Sequence, residues 1–78
     1  MGFGKRLHTK RKELNLTATV LAKKCGISRS YITLIENDKR LPGIKVLPKI
    51  ADALNLRTNI VLNWYLEDLR NKIQKKIK

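Results

Sequence analysis

The sequence is poor in cysteine and has no long apolar run. Its single cysteine, Cys25, excludes an internal disulfide and a cysteine-based zinc site. There is no signal peptide and no stretch of about 18 apolar residues, so we expect no membrane span and a cytoplasmic location. A chain of 78 residues has room for one small domain. Cys25 lies among apolar residues at helical spacing, which favours a buried small side chain over a reactive thiol.

Acidic residues are also scarce. Six Asp and Glu stand against 18 Lys and Arg, which gives a net charge of +12. Such a charge on a small domain predicts a polyanionic partner, of which nucleic acid is the commonest, whereas the alternative is a solvated lysine-rich surface. The sequence contains no nucleophile with a base, no metal-ligand cluster and no phosphate-binding glycine loop, and His8 has no pattern of partners. We therefore expect a binding protein that is not an enzyme and needs no cofactor or metal.

The most informative stretch is residues 18–37, which predicts two short helices joined by a tight turn. Apolar residues recur at helical spacing on one face of each helix: Leu21, Ala22 and Cys25 on the first, Ile32 and Ile35 on the second. Gly26 can adopt a left-handed turn conformation, Ile27 can fill the angle between the helices, and Ser28 can cap the second helix. This pattern is typical of a DNA-binding helix-turn-helix.

Caps and apolar spacing predict three further helices. Helix 1 should cover about residues 5–14 after a lead-in of residues 1–4, with Asn15 at its end and Thr17 capping the next helix. Helix 4 should cover about residues 45–54, and Pro48 must lie within its first turn unless the helix begins there. Thr58 could cap a last helix that runs to the mid-seventies.

The second helix of the motif, predicted over about residues 29–37, has an inner and an outer face. If Ile32 and Ile35 point inward, the outer face is centred on Ser30 and Asn37. Glu36 then falls near the inner edge, where its carboxylate needs a partner.

The order and spacing of these features resemble the Cro/C1 (Xre) family of phage and bacterial repressors. The matching positions span about residues 4–62 and are Gly4-Lys-Arg-Leu, Arg11, Leu16-Thr17, Leu21-Ala22, Gly26-Ile27-Ser28, Ile32, Glu36-Asn37 and Ile50-Ala51-Asp-Ala-Leu54. The resemblance implies an all-α, lambda-repressor-like fold of five helices, whose third helix enters the DNA major groove. The spacing beyond residue 62 extends the last helix.

The resemblance also implies roles for individual residues. The positions that contact bases in the family are Arg29, Ser30, Thr33 and Leu34. The positions that commonly touch phosphate are Thr17, Asn37, Lys39 and Arg40, together with Ala18, where many members have a glutamine and only the main-chain amide could serve here. Arg11 and Glu36 match a buried ion pair, which would satisfy the Glu36 carboxylate. Two further departures are Asp38 in place of a common glycine and Gly43 in place of a Ser or Thr cap.

Three residues of the predicted DNA interface differ in how they could act. Arg29 is the best candidate for reading a guanine, because a guanidinium fits two acceptors at once. Leu34 could meet a thymine methyl group or pack inward. Tyr31 could donate to a phosphate or lie at the edge of the core.

The last helix carries an apolar stripe at helical spacing, formed by Leu62, Leu66, Leu69, Ile73 and Ile77 and widened at its start by Ile60, Val61, Trp64 and Tyr65. We interpret residues 1–62 as the DNA-binding domain and residues 63–78 as a possible dimerisation segment. The stripe could instead fold over its own core, or lead into a further domain.

We therefore predict a sequence-specific regulator that binds double-stranded DNA as a homodimer and acts as a repressor. The alternative is the antitoxin of a toxin–antitoxin pair, which would bind a toxin protein through the C-terminal helix. A third hypothesis is a basic RNA-binding or coactivator-type adaptor.

Overall fold

The part of the chain that the structure describes folds into five α-helices. The structure, a computed structural model, describes residues 2–77, and their side chains as far as residue 74. The helices are α1 (Phe3–Glu13), α2 (Ala18–Cys25), α3 (Arg29–Glu36), α4 (Leu47–Ala53) and α5 (Thr58–Ile77). This arrangement confirms the predicted all-α, five-helix class with a long C-terminal helix.

One hydrophobic core lies between the helices. α2 packs on α3 and α4, α1 packs on α3 and α5, and α4 packs on α5. The predicted inward faces are buried in this core, which contains Phe3, Leu7, Leu21, Ala22, Cys25, Ile32, Ile35, Leu47, Ile50, Ala51, Leu54 and Val61. Ile27 packs against the core from the turn between α2 and α3, as predicted.

Each of the first four helices ends in the same left-handed turn. The turn residues with positive φ are Asn15, Gly26, Asp38 and Asn55. After each of them, the next amide donates to the carbonyl five residues back, as in Leu16 N to Arg11 O at 3.0 Å and Leu56 N to Ala51 O at 2.8 Å. These bonds satisfy carbonyls that a helix end leaves unpaired. The left-handed ends predicted at Asn15 and Gly26 are confirmed, and Asn55 ends α4 in the same conformation.

The start of α1 differs from the prediction. The residues interpreted as a lead-in include Phe3 and Gly4, and both belong to the helix and are buried. Gly4 allows α1 to approach the end of α3, because a Cβ on Gly4 would overlap the carbonyl oxygen of Ile35 and lie 2.8 Å from that of Glu36. Phe3 meets Trp64 of α5 edge to face, with ring centroids 6.1 Å apart. These contacts with distant helices extend the helix, and local sequence signals did not indicate them.

The start of α4 also differs from the prediction. The residues expected to form the first turn of helix 4 instead form a 3-10 turn at Ile44–Val46, and α4 begins at Leu47 with Pro48 in its first turn. Gly43 precedes the 3-10 turn and offers no side chain to cap it. α3 ends at Glu36, one residue earlier than predicted, because Asn37 is its C-cap.

α5 presents two different faces. Val61 is buried, and Trp64 and Tyr65 are half-buried against the core. These three residues therefore do not widen the apolar stripe, as the sequence suggested, but anchor the helix to its own domain. In the part of the chain that the structure describes, no helix has the length and hydropathy needed to cross a membrane.

Candidate nucleic-acid interface

α2, the turn and α3 form a helix-turn-helix whose bends are fixed by local hydrogen bonds. Thr17 caps α2, since its Oγ1 accepts from the amide of Val20 at 3.1 Å. Gly26 adopts φ 68° and ψ 31° and ends α2. Ser28 caps α3 in the same way, because its Oγ accepts from the amide of Tyr31 at 3.1 Å. Each cap was expected from the sequence.

The outer face of α3 is exposed and free of core contacts. Arg29, Ser30, Thr33 and Leu34 together line one shallow concavity on this face. Leu34 is 41% exposed, so the inward alternative for this side chain is wrong. The structure thus brings together the four residues that the resemblance assigned to base contact.

The four residues differ in the hydrogen-bond donors, acceptors and apolar groups that they present to a ligand. The hydroxyl of Thr33 donates to the carbonyl oxygen of Arg29 at 3.2 Å, so toward a ligand it presents an acceptor and a methyl group. The guanidinium of Arg29 and the hydroxyl of Ser30 are the donors on this face. Leu34 adds an apolar surface beside them.

The residues predicted to touch phosphate lie at the start of α2 and at or after the end of α3. Thr17, Asn37, Lys39 and Arg40 are exposed, whereas Ala18 is half-buried and packs against the core. One of the departures from the family pattern, Asp38, also has a structural role. Asp38 adopts φ 57°, and its Oδ1 accepts from the amide of Gly4 at 3.3 Å.

Tyr31 lies at the edge of the core, which is one of the two alternatives that the sequence left open, and its donation to a phosphate stays a prediction. Its ring packs against the core, and its Oη accepts from the amide of Gly43 at 3.0 Å. The guanidinium carbon of Arg40 lies 5.1 Å from the centre of the ring, at the distance of a cation–π contact. The amide of Gly43 thus has a partner although this position lacks the usual capping side chain.

Behind the exposed face, Arg11 ties α1 to the end of α3. Its Nε donates to Glu36 Oε2 at 2.7 Å and its Nη2 to Glu36 Oε1 at 3.0 Å. Its Nη1 donates to the carbonyl oxygen of Leu16 at 2.8 Å, at the turn into α2. Arg11 is only 8% exposed. The two residues that the resemblance paired are therefore in contact, and a third segment joins them.

His8 is a partner of this pair that the sequence analysis missed. Its Nδ1 lies 2.8 Å from Glu36 Oε1 and 3.3 Å from Arg11 Nη2. The spacing of three residues between His8 and Arg11 places both on one side of α1, which is the signal that could have indicated this contact. Among the described residues, no group of three or more His, Cys, Asp and Glu side chains could hold a metal ion.

The charges of this cluster stabilise one another. Burial alone would raise the pKa of Glu36, but hydrogen bonds from Arg11 and His8, together with their charges, lower it below its usual value. The hydrogen bond to Glu36 raises the pKa of Arg11 although burial opposes it. Burial raises the pKa of the Cys25 thiol, and the nearby Lys49 only partly offsets this, so the thiol is a poor nucleophile.

The predicted dimerisation stripe lies on the side of α5 that does not anchor the helix. Leu62, Leu66 and Ile73 are 38%, 49% and 51% exposed, and Leu69 is half-buried. The side chain of Ile77 lies outside the described residues. The stripe does not fold over its own core within the part that the structure describes.

The fold and the exposed α3 face define a helix-turn-helix protein, and the sequence profile of that family matches residues 7–61. The chain belongs to the Cro/C1-type (Xre) helix-turn-helix family, a family of transcriptional regulators that are not enzymes. Both the recognised family and the expectation of a non-enzymatic protein are thereby confirmed.

The curated relatives include two proteins of Bacillus phage phi105. The ImmF control region 10 kDa protein is 43% identical over 59 residues, which cover 76% of this chain and 66% of that protein. The immunity repressor protein is 37% identical over 62 residues, which cover 80% of this chain and 43% of that protein. The chain therefore matches less than two thirds of either relative's length.

Solved structures with the same fold include DNA complexes. The P22 c2 repressor bound to a synthetic operator has a TM-score of 0.75 at 25% identity, covering 82% of this chain and 97% of that one. SinR, a master regulator for biofilm formation, bound to DNA has a TM-score of 0.70 at 31% identity, covering 77% and 97%. The SinR–SinI protein complex matches with a TM-score of 0.71 at 29% identity, covering 96% and 74%.

Proposed function

We propose that this protein binds double-stranded DNA in a sequence-specific manner and represses transcription as a homodimer. In this proposal residues 1–62 form the DNA-binding domain and α3 enters the major groove. The observation that carries the proposal is the exposed face of α3, from which Arg29, Ser30, Thr33 and Leu34 project together. α3 itself packs on α1 and α2. The P22 c2 repressor and SinR, which share this fold, have been crystallised with DNA.

The electrostatics support a duplex partner. The chain carries a net charge of +12, and Lys39 and Arg40 are exposed at the end of α3. Phosphate contacts would position the protein, while Arg29 would read a guanine through the two acceptors of its major-groove edge. Thr33 and Leu34 present methyl groups, which suit a thymine.

Selection of bound duplexes from a random pool tests sequence-specific binding. We expect an enriched sequence with two half-sites about 34 Å apart, because a two-fold dimer places its two α3 helices in successive major grooves. Affinity should fall with salt at a log–log slope near −0.9 per neutralised phosphate. A pool without enrichment, together with equal affinity for RNA and random duplex, would instead indicate the basic adaptor.

A pair of substitutions separates base reading from phosphate contact. Arg29→Ala should relax the preference at one base pair, at about 1–3 kcal/mol of discrimination. Lys39→Ala should weaken binding to every duplex alike and reduce the salt slope by about 0.9. If Arg29→Ala also weakened all duplexes equally, Arg29 would be a phosphate ligand.

The proposed dimer uses the exposed stripe of α5, Leu62, Leu66, Leu69 and Ile73. Residues 63–78 would thus serve as the dimerisation segment. Light scattering of the unmodified protein should give twice the mass of one chain. The Leu66→Asp variant should give the mass of a single chain, because the charge disrupts the dimer. Asn71→Asp is the matched control, since Asn71 is exposed and lies about 180° around the helix from Leu62.

A protein partner is the second candidate for the stripe, because SinR also matches in its complex with the protein SinI. Under this alternative, which includes the antitoxin, the pure protein would be monomeric. A monomer whose affinity for the selected duplex is unaffected by Leu66→Asp would reject the homodimer. The cytoplasmic location remains a prediction.

A further inference from the structure

The segment between α3 and the 3-10 turn is attached to the first turn of α3 through the side chain of Tyr31. Tyr31 holds it at two points, since its hydroxyl binds the amide of Gly43 at 3.0 Å and its ring lies under the guanidinium of Arg40 at 5.1 Å. The ring itself packs against the core. The exposed Arg40 therefore contacts a side chain that itself packs against the core.

The hydroxyl of Tyr31 still has its O–H hydrogen to donate after its oxygen has accepted from Gly43. A phenol oxygen accepts and its hydrogen donates, and the amide of Gly43 occupies the oxygen as a donor. The O–H hydrogen is not used by that bond. It is available to a ligand at the surface, beside the cationic head of Arg40.

A group that accepts from a phenol hydroxyl and a guanidinium together is an anion with several oxygens. On the surface next to the exposed face of α3, such an anion is a DNA phosphate. Hydrogen bonds from a hydroxyl or guanidinium to a phosphate oxygen are charge-assisted and stronger than neutral ones. Donors that are held in place before binding lose less conformational entropy when the ligand arrives.

Resting on the proposed function, we propose that Tyr31 and Arg40 form one preassembled clamp for a single DNA phosphate. Tyr31 donates its hydroxyl hydrogen to this phosphate and positions the guanidinium of Arg40 on it. Because Tyr31 lies two residues after Arg29, the clamp also fixes the register of the reading face on the duplex.

The test uses the duplex selected by the unmodified protein, with one phosphate at a time replaced by a neutral methylphosphonate. In the unmodified protein we expect one phosphate per half-site whose replacement weakens binding about tenfold. Tyr31→Phe keeps the ring and removes the hydroxyl, so it should shrink that penalty to about threefold and leave the other penalties unchanged. Arg40→Ala should shrink the penalty at the same phosphate.

Two controls separate the clamp from general effects. Lys39→Ala removes a charge from the same segment and should leave the penalty at the clamped phosphate unchanged. Tyr65→Phe removes the hydroxyl of the half-buried tyrosine on α5 and should not alter binding or the pattern. Thermal unfolding of each variant checks that it is folded, and the exposed position of Arg40 makes Arg40→Ala a second, independent probe.

The outcomes decide between the clamp and a structural tyrosine. The clamp is rejected if Tyr31→Phe has no effect on binding. It is also rejected if Tyr31→Phe weakens binding to every duplex by the same factor, so that the penalty at each replaced phosphate is unchanged. The clamp is also rejected if Tyr31→Phe and Arg40→Ala affect different phosphates. If the unmodified protein selects no duplex, the proposed function fails as well, so the two failures are distinguishable.

Discussion

The carboxylate of Asp38 caps a helix to which it does not belong: its Oδ1 accepts from the amide of Gly4, 3.3 Å away, in the first turn of α1. α1 has no side-chain cap of its own, because Gly2 occupies its N-cap position. Asp38 also ends α3 in a left-handed conformation, with φ 57°. One residue thus ends α3 and begins α1, which explains why an aspartate can replace the family's common glycine.

Substitutions of Asp38 should separate its two roles. Asp38→Ala removes the carboxylate that caps α1. It also places at positive φ a residue that has a Cβ but no side-chain group to bind the nearby backbone, so we expect a loss of about 2 kcal/mol of unfolding free energy. Asp38→Asn keeps an acceptor and tolerates this conformation, and Asp38→Gly removes the backbone strain, so each should stay within about 1 kcal/mol of the original. Urea unfolding measures all three. Equal stability of the alanine and asparagine variants would contradict the cap.

Gly4→Ala should be strongly destabilising. The new methyl group would overlap the carbonyl oxygen of Ile35 and lie 2.8 Å from that of Glu36, so α1 would have to move away from α3. We expect a loss of about 3 kcal/mol. Gly2→Ala is the matched control, because its nearest contacts are at 3.4 Å, with two Asp side chains, and it should change the stability little. Thermal unfolding of both variants checks the difference.

Glu36→Ala should loosen the fold where α1, α2 and α3 meet. It leaves the guanidinium of Arg11 buried without its carboxylate, and breaking a buried ion pair in this way costs about 3–5 kcal/mol. Glu67→Ala breaks the more exposed pair of Arg6 and Glu67, whose atoms are 2.8 Å apart, and should cost less than about 1 kcal/mol. An unchanged melting temperature for Glu36→Ala would show that the pair does not stabilise the domain.

The same carboxylate predicts how stability depends on pH. The folded protein holds the pKa of Glu36 below its usual value of 4.5, so the unfolded chain takes up the proton first as the pH falls. The contribution is fully present above about pH 5 and is lost as the pH falls through the folded pKa. In Glu36→Gln, whose side chain does not titrate, the decline of unfolding free energy between pH 6 and 3 should be shallower. Parallel curves would contradict this assignment.

The helix ends were predictable because their signals are local. Thr17 and Ser28 cap α2 and α3 through amides only three residues away, and Gly26 and the two asparagines take left-handed turns that few other residues tolerate. Such signals need no knowledge of the tertiary fold.

Features that depend on contacts between distant segments leave no local signal in the sequence. Gly4 and Phe3 belong to α1 because Asp38 and Trp64 lie against them, and His8 gains its carboxylate from the end of α3. The two faces of α5 could not be distinguished from apolar spacing, because either face could have packed on the core. The position of the anchoring face follows from Val61.

For the interface, periodicity correctly indicated which side of α3 is exposed, as Ser30 and Leu34 demonstrate. It could not give the hydrogen bond of Thr33 to its own helix, or the attachment of Arg40 to Tyr31. Those depend on rotamers and on the path of the segment after α3. The roles of these residues in DNA binding remain predictions.

The length of α5 has a consequence for amide hydrogen exchange. At 1.5 Å per residue its 20 residues span about 30 Å, and Val61, Trp64 and Tyr65, its anchors to the core, lie in its first half. The amides of the second half are therefore protected from exchange only by the helical hydrogen bonds of a short segment. Such a segment is only marginally stable as an isolated helix in water. Slow exchange of these amides would indicate that the apolar stripe of α5 is covered by a partner, and fast exchange would indicate that it is exposed to solvent. The measurement does not require the partner to be identified.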